Sequence, residues 1–119
     1  MTWEVEYTDD FEQWWLRLDT SERESVLATV GLLEARGPNL PFPHSSDVKG
    51  GTSGKLRELR IQHKGRPLRV FYSFDSRRTA ILLVGGGKTG DDRFYERMIP
   101  LAESLLKEHL DELLKEGDQ

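Results

Sequence analysis

A chain of 119 residues with 36% apolar and 32% charged content is sized for one folded domain, residues 1–119, and not for a cofactor domain beside a substrate domain. It has no cysteine, which excludes disulfides and thiolate metal sites and leads us to expect a cytoplasmic protein. No apolar run approaches the ~20 residues of a membrane span, and the opening segment has neither the basic nor the apolar region of a secretory signal. The net charge of −4 is segregated, with −7 over residues 1–48, +7 over 49–97 and −4 over 98–119. A positive centre between acidic flanks suggests a phosphate or nucleic-acid site; the plain alternative is a solvated surface rich in Lys and Arg.

Trp3, Val5 and Tyr7 alternate with Glu4 and Glu6, predicting a short strand with one buried face. Asp10 and Gln13 have capping-box spacing, and Phe11, Trp14, Trp15 and Leu18 follow at helical intervals. Ser21 with Glu24 reads as a second cap, opening a longer helix striped by Val26, Leu27, Val30 and Leu33 and stopped by Gly37-Pro38. The two form a predicted helical hairpin, and Gly31 inside the second implies close helix packing at that point. Residues 37–54, GPNLPFPHSSDVKGGTSG, predict a long loop. Three strands follow, KLRELRI, LRVFYSF and TAILLVG, joined as hairpins by HKGRP and DSRR. AILLV is apolar throughout and is expected to be the most buried strand. After GGGKTG a last helix runs from about Asp91 to Lys115, striped by Leu101, Leu105, Leu106, Leu110, Leu113 and Leu114, with Pro100 placed to kink or split it. The order β-α-α-β-β-β-α predicts an α+β fold in which the hairpin and C-terminal helix pack on a small, mainly antiparallel four-stranded sheet. Part of one sheet face is left open for strand arginines.

His44, His63 and His109 are far apart and lack metal-ligand spacing, so neither metal nor cofactor is expected, and His63 reads as a solvated residue at a hairpin tip. The run Gly85-Gly86-Gly87-Lys88-Thr89-Gly90 superficially resembles a phosphate loop, but a leucine stands where its first glycine belongs, and nucleoside triphosphate hydrolysis is rejected. No serine sits in a nucleophile elbow. What remains is basic and aromatic: Arg57, Arg60, Lys64, Arg66 and Arg69 on one hairpin, then Lys88 and Tyr95. Glu58 and Arg60 share one face of their strand, while Arg69, Phe71 and Ser73 alternate against Val70, Tyr72 and Phe74. Guanidinium groups hold phosphate bidentately. A lysine or tyrosine moves a proton when neighbouring positive charge lowers its pKa. Such groups suit metal-free RNA cleavage: one activates a 2′-hydroxyl, one protonates the leaving 5′-oxygen, and arginines stabilise the charged phosphorane. The plain alternative for each is a solvated charge and, for Tyr95, a helix residue covering the core.

KLRELRI, RPLRVFYSFD, ILLVGGGK and the closing amphipathic helix, with the early tryptophans and GPNLPFP, resemble the RelE/ParE superfamily of type II toxin–antitoxin toxins. The likeness spans nearly the whole chain and is nearest to the HigB-like, phage-derived-protein-like branch. RelE-like members are ribosome-dependent mRNA endonucleases, and ParE-like members poison DNA gyrase. The resemblance implies a toxin that cuts mRNA in the ribosomal A site without metal. A cognate antitoxin would silence it, and operator DNA would be reached only through the antitoxin complex. Arg69 matches the arginine of a Gly/Pro-aromatic-Arg-x-x-Tyr strand, with Leu68 replacing the aromatic, and Arg60 matches the basic position of the earlier strand. Gly87, Lys88 and Tyr95 match a Gly-Lys-Arg run and its downstream tyrosine, with Thr89 replacing that arginine. The resemblance thus implies Arg60, Arg69, Lys88 and Tyr95 as catalytic, with Arg57, Lys64, Arg66 and Arg93 on the RNA. An acidic, amphipathic antitoxin segment is expected on the basic face, and the leucine-rich last helix offers a second surface. A gyrase inhibitor and a degenerate protein- or DNA-binding member of a toxin–antitoxin complex are the alternatives.

Overall fold

Thr8 and Asp19 stand in extended backbone immediately before runs of helix-forming residues, and each turns its side-chain oxygen back onto the first turn. In the computed structural model, which describes residues 2–117, the elements are β1 (Glu4–Tyr7), α1 (Asp9–Leu16), α2 (Thr20–Arg36), a 3-10 turn (Gly37–Asn39), β2 (Ser45–Asp47), β3 (Arg57–His63), β4 (Arg66–Phe74), β5 (Thr79–Gly87) and α3 (Phe94–Lys115). Thr8 Oγ1 accepts from the Phe11 amide at 3.1 Å. Asp19 and Glu22 form a complete capping box. Both caps therefore lie two residues before those expected at Asp10 and Ser21, because a better-placed oxygen lies just upstream.

The sheet order is β1-β5-β4-β3-β2, with β1 parallel to β5 and every other pair antiparallel. The α+β class and the chain order are those expected, but there are five strands. Ser45–Asp47, inside the predicted loop, pairs with the edge of β3. Its sequence has no apolar alternation, so the strand exists only through the partner's free backbone groups.

Two apolar layers sandwich the sheet. Phe11, Trp14, Val26 and Leu33 of the helical hairpin pack on Leu59, Ile61, Val70, Tyr72 and Leu82. On the other face, Phe94, Met98, Ala102, Leu105 and Leu106 of α3 pack on Phe71, Ile81 and Leu83. The face expected to stand open is thus largely covered. The apolar stripe of α3 has to bury itself somewhere, and the alternate residues of β4 and β5 are apolar on that side too. Of its stripe, Leu105, Leu106 and Leu113 are buried, Leu110 is half-buried, and Leu101 and Leu114 are exposed. Pro100 lies within a continuous helix. It is exposed, so water can take the Glu96 carbonyl that it leaves without a partner.

The glycine run owes its composition to packing on two sides. A β-carbon on Gly85 would lie 2.3 Å from the Trp14 ring, and one on Gly86 would lie 2.9 Å from the Phe94 ring. Bare backbone there lets α1 and the start of α3 close onto the same strand from opposite faces.

Gly31 has no such reason. It is exposed, and a β-carbon would meet nothing within 4 Å, so close helix packing is not why a glycine stands there. Gly31→Ala is expected to stabilise the protein by about 1 kcal/mol, raising the melting temperature by roughly 4–8 °C in a thermal scan.

The charge segregation has a structural side as well. Acidic residues of the first third reach across to the basic centre: Glu22 pairs with Arg66 at 2.6 Å, Glu6 with Arg77 at 2.8 Å, and Asp47 with Arg57. No helix among the described residues is long and apolar enough to cross a membrane.

Candidate active site

The β3–β4 register sets Arg60 directly opposite Arg69, and Glu58 opposite Phe71. Like charges facing each other across a strand pair repel, and this pair persists because Glu58 lies diagonally between them. Its Oε1 is 3.5 Å from Arg69 Nε and its Oε2 is 3.7 Å from Arg60 Nη1. Glu58 and Arg69 are each only 5% exposed, so the carboxylate and the guanidinium lie beneath the surface rather than on it.

The other parts arrive from distant chain. The Lys88 amide donates to the Pro67 carbonyl at 2.9 Å, prolonging the β4–β5 ladder by one residue. Asp91 then turns the chain, its carboxylate accepting from the Arg93 amide at 3.0 Å, and α3 starts back across the sheet. Its first turn seats Phe94 against Phe71, with ring centroids 6.0 Å apart, and Tyr95 edge-on to both rings. The Tyr95 hydroxyl thereby donates to Glu58 Oε1 at 2.6 Å, and Lys88 Nζ lies 5.0 Å from the Tyr95 ring centroid. From the sheet edge, Ser46 of β2 donates to Glu58 Oε2 at 3.1 Å.

Arg60, Arg69 and Tyr95, separated by up to 35 positions, thus converge on one carboxylate, and Lys88 joins the group through the Tyr95 ring. Glu58 itself was not among the expected site residues. The available signal was an acidic residue sharing a strand face with Arg60 inside a basic segment, a place where a surface carboxylate would be unremarked.

Two electrical features define the site. Burial pushes the Tyr95 phenol upward, and its hydrogen bond to the Glu58 carboxylate pushes it further the same way, outweighing Arg69. The expectation that positive charge lowers this pKa is therefore reversed: Tyr95 is held protonated, a donor and not a base. Arg69 spends Nη1 on the Leu68 carbonyl at 3.0 Å. Its buried Nε has no hydrogen-bond partner among the described residues. A buried guanidinium with one unmet donor, sharing its carboxylate with a second arginine, has the capacity to hold a further anion.

Of the four residues expected on RNA, two are engaged away from this surface. Arg57 lies on the helical-hairpin side, where Nε donates to Ser45 Oγ at 3.2 Å and the guanidinium pairs with Asp47. Arg66 pairs with Glu22 of α2. Lys64 stands exposed at the β3–β4 turn. Arg93, exposed just before α3, is the one on the same turn as Tyr95. His63 is not solvated. It is 5% exposed, with Nδ1 2.7 Å from Ser25 Oγ and Nε2 3.4 Å from Ser21 Oγ, because strand parity turns it inward onto α2.

Comparison with known proteins places this geometry in context. Residues 13–107 match the model of the phage-derived protein Gp49-like family. Among curated proteins of Mycobacterium tuberculosis, the chain is 38% identical over 93 residues to "Putative toxin HigB3", covering 77% of this chain and 80% of that one. It is 35% identical over 111 residues to "Putative toxin HigB2", covering 89% of this chain and 55% of that longer protein. In fold it is similar to a chain of the archaeal RelE–RelB complex from Pyrococcus horikoshii, with a TM-score of 0.55, 17% identity, and 76% and 99% of the two chains covered. A mutant of the Escherichia coli toxin RelE in the free state gives a TM-score of 0.57 at 11% identity, with 82% and 96% covered.

Proposed function

The chain belongs to the phage-derived Gp49-like family, and from that premise we propose that it is a ribosome-dependent mRNA endonuclease that stops translation. By kinship it is a RelE-superfamily toxin of the HigB kind, from a toxin–antitoxin system, with a cognate antitoxin as its partner. The nuclease reading is carried by one observation, the buried Arg69 guanidinium with an unmet donor beside the Glu58–Tyr95 pair.

In this reading Arg60 and Lys88, nearer the surface, meet the RNA phosphate first, and Arg69 beneath them completes the cradle. Glu58 takes the proton from the 2′-hydroxyl. The freed 2′-oxygen attacks phosphorus, and the arginines stabilise the charge that gathers on the phosphorane. As the P–O5′ bond breaks, Tyr95 protonates O5′ and is itself reprotonated by Glu58 across their 2.6 Å hydrogen bond. The proton balance closes within the pair, and the products are a 2′,3′-cyclic phosphate and a 5′-hydroxyl. No histidine enters the site, and the net charge of −4 disfavours free RNA. The ribosome is accordingly assigned part of the work of holding the message, and the cytoplasm is the compartment. The antitoxin meets Arg60 and Lys88 directly, since Arg69 lies below the surface, and operator DNA is reached only through the complex.

Inducing the toxin alone and mapping 5′ ends of cellular mRNA is expected to show cuts inside translated codons. Purified protein is expected to cut ribosome-bound mRNA well and free RNA poorly. Intact mRNA accompanied by DNA breaks would instead identify a gyrase poison.

A further inference from the structure

Phe42 is the most exposed large apolar side chain among the described residues, at 67%. It does not sit on a loose tip. The Pro41 carbonyl accepts from the His44 amide at 3.0 Å and from the Ser45 amide at 3.1 Å, and the His44 carbonyl accepts from the Arg60 amide at 2.9 Å. The turn is thereby fastened to the start of β2 and to β3, with a proline on each side of Phe42. One face of the ring carries the Arg60 guanidinium, 5.1 Å from its centroid. The same guanidinium reaches toward Glu58 on its other side. An ordered aromatic ring left facing water, stacked on an arginine that leads directly to the anion pocket, is the arrangement proteins use for an unpaired base.

We propose that Phe42 and Arg60 form a stacking platform for one unpaired nucleobase adjacent to the scissile phosphate, making the Pro41–His44 turn the base-binding subsite of this enzyme. The inference rests on the nuclease reading and adds to it a ligand class and a position. The base lies on the free face of Phe42, and Arg60 bridges that base to the phosphate held over Arg69. Stacking is tolerant of base identity, because every base offers a π face. The platform therefore fixes where the strand lies more than which codon is cut.

The test uses the full chain bound to ribosomes programmed with mRNA that carries a 2′-deoxy nucleotide at the cleavage position, so that affinity is read without cutting. Phe42→Ala is expected to weaken binding about 5- to 150-fold, the range that loss of one stacked base gives. Phe42→Leu, apolar but unable to stack, is expected to fall with it, and Phe42→Trp to restore binding. An abasic nucleotide walked along the message is expected to cost the parent a similar factor at a single position and to cost Phe42→Ala nothing more there. Thermal melting should be unchanged, since the ring is exposed. If Phe42→Ala binds like the parent while Arg69→Ala does not, the platform is overturned and the nuclease reading stands. If neither variant changes binding or cleavage, or the parent does not bind the programmed ribosome, both fail. If Phe42→Ala keeps its RNA affinity and loses the antitoxin, the ring is a protein contact and the platform is again overturned.

Discussion

Replacing Arg69 by alanine is expected to lower single-turnover cleavage of ribosome-bound mRNA by about 10²–10³, the usual cost of losing one preorganised donor aimed at developing negative charge. The magnitude follows from burial. At 5% exposure the guanidinium acts in a medium far less polar than water, where each donor counts for more. Lysine should recover little, because a point charge on a flexible stem cannot reproduce the bidentate fork. Stability is expected to move less than activity. The substitution takes the Arg69 charge from buried Glu58, but it also removes an unmet Nε and the cross-strand repulsion with Arg60, and Glu58 keeps Arg60 nearby and its bonds from Tyr95 and Ser46. A variant that melts near the parent temperature yet arrests growth as fast as the parent would remove Arg69 from the chemistry. Such a separation of folding from activity is expected where stability has been given up for function.

Strands β3, β4 and β5 could be read from the chain because period-two alternation and short polar connections are local signals, and the observed bounds lie within a few residues of the expected ones. The edge strand β2 could not, because Ser45–Asp47 is strand-forming only when β3 offers an edge. The caps were displaced for a related reason: Thr8, Asp10, Asp19 and Ser21 can all cap, and the fold selects among them. The covering of the second sheet face was missed because an amphipathic stripe tells that α3 must dock, not where. The same limit applies to the site. Arg60 and Arg69 stand out as charges in apolar strands, but Glu58 acquires meaning only from Tyr95, 37 positions later. The inward turn of His63 depends on α2 lying behind it.

A second long-range polar knot predicts the largest loss of stability. The Asp75 side chain has no exposed surface. It accepts from Arg77 Nη2 at 2.7 Å, from the Arg77 amide at 2.9 Å and from His109 Nε2 at 2.9 Å. An ionised carboxylate only accepts, so Nε2 carries the hydrogen in that bond. Arg77 continues to Glu6, so one carboxylate joins β1, the end of β4, its turn and the far half of α3. Burial alone would raise the pKa of Asp75, but the hydrogen bonds from Arg77 and His109 prevail and hold it below the usual carboxylate range. Asp75→Ala is expected to cost about 3–5 kcal/mol, the range for breaking a buried ion pair, and roughly 12–40 °C of melting temperature. The low end is expected, because Arg77 keeps Glu6 and some water. The sign of the pH dependence follows from the depressed pKa. The stabilisation is complete above the unfolded carboxylate pKa of about 4 and is lost as pH falls through the folded value. Between neutral pH and acid, the parent should therefore lose stability more steeply than Asp75→Ala, and the two melting curves should draw together. Parallel curves across that range would show that Asp75 contributes shape to this junction and not charge.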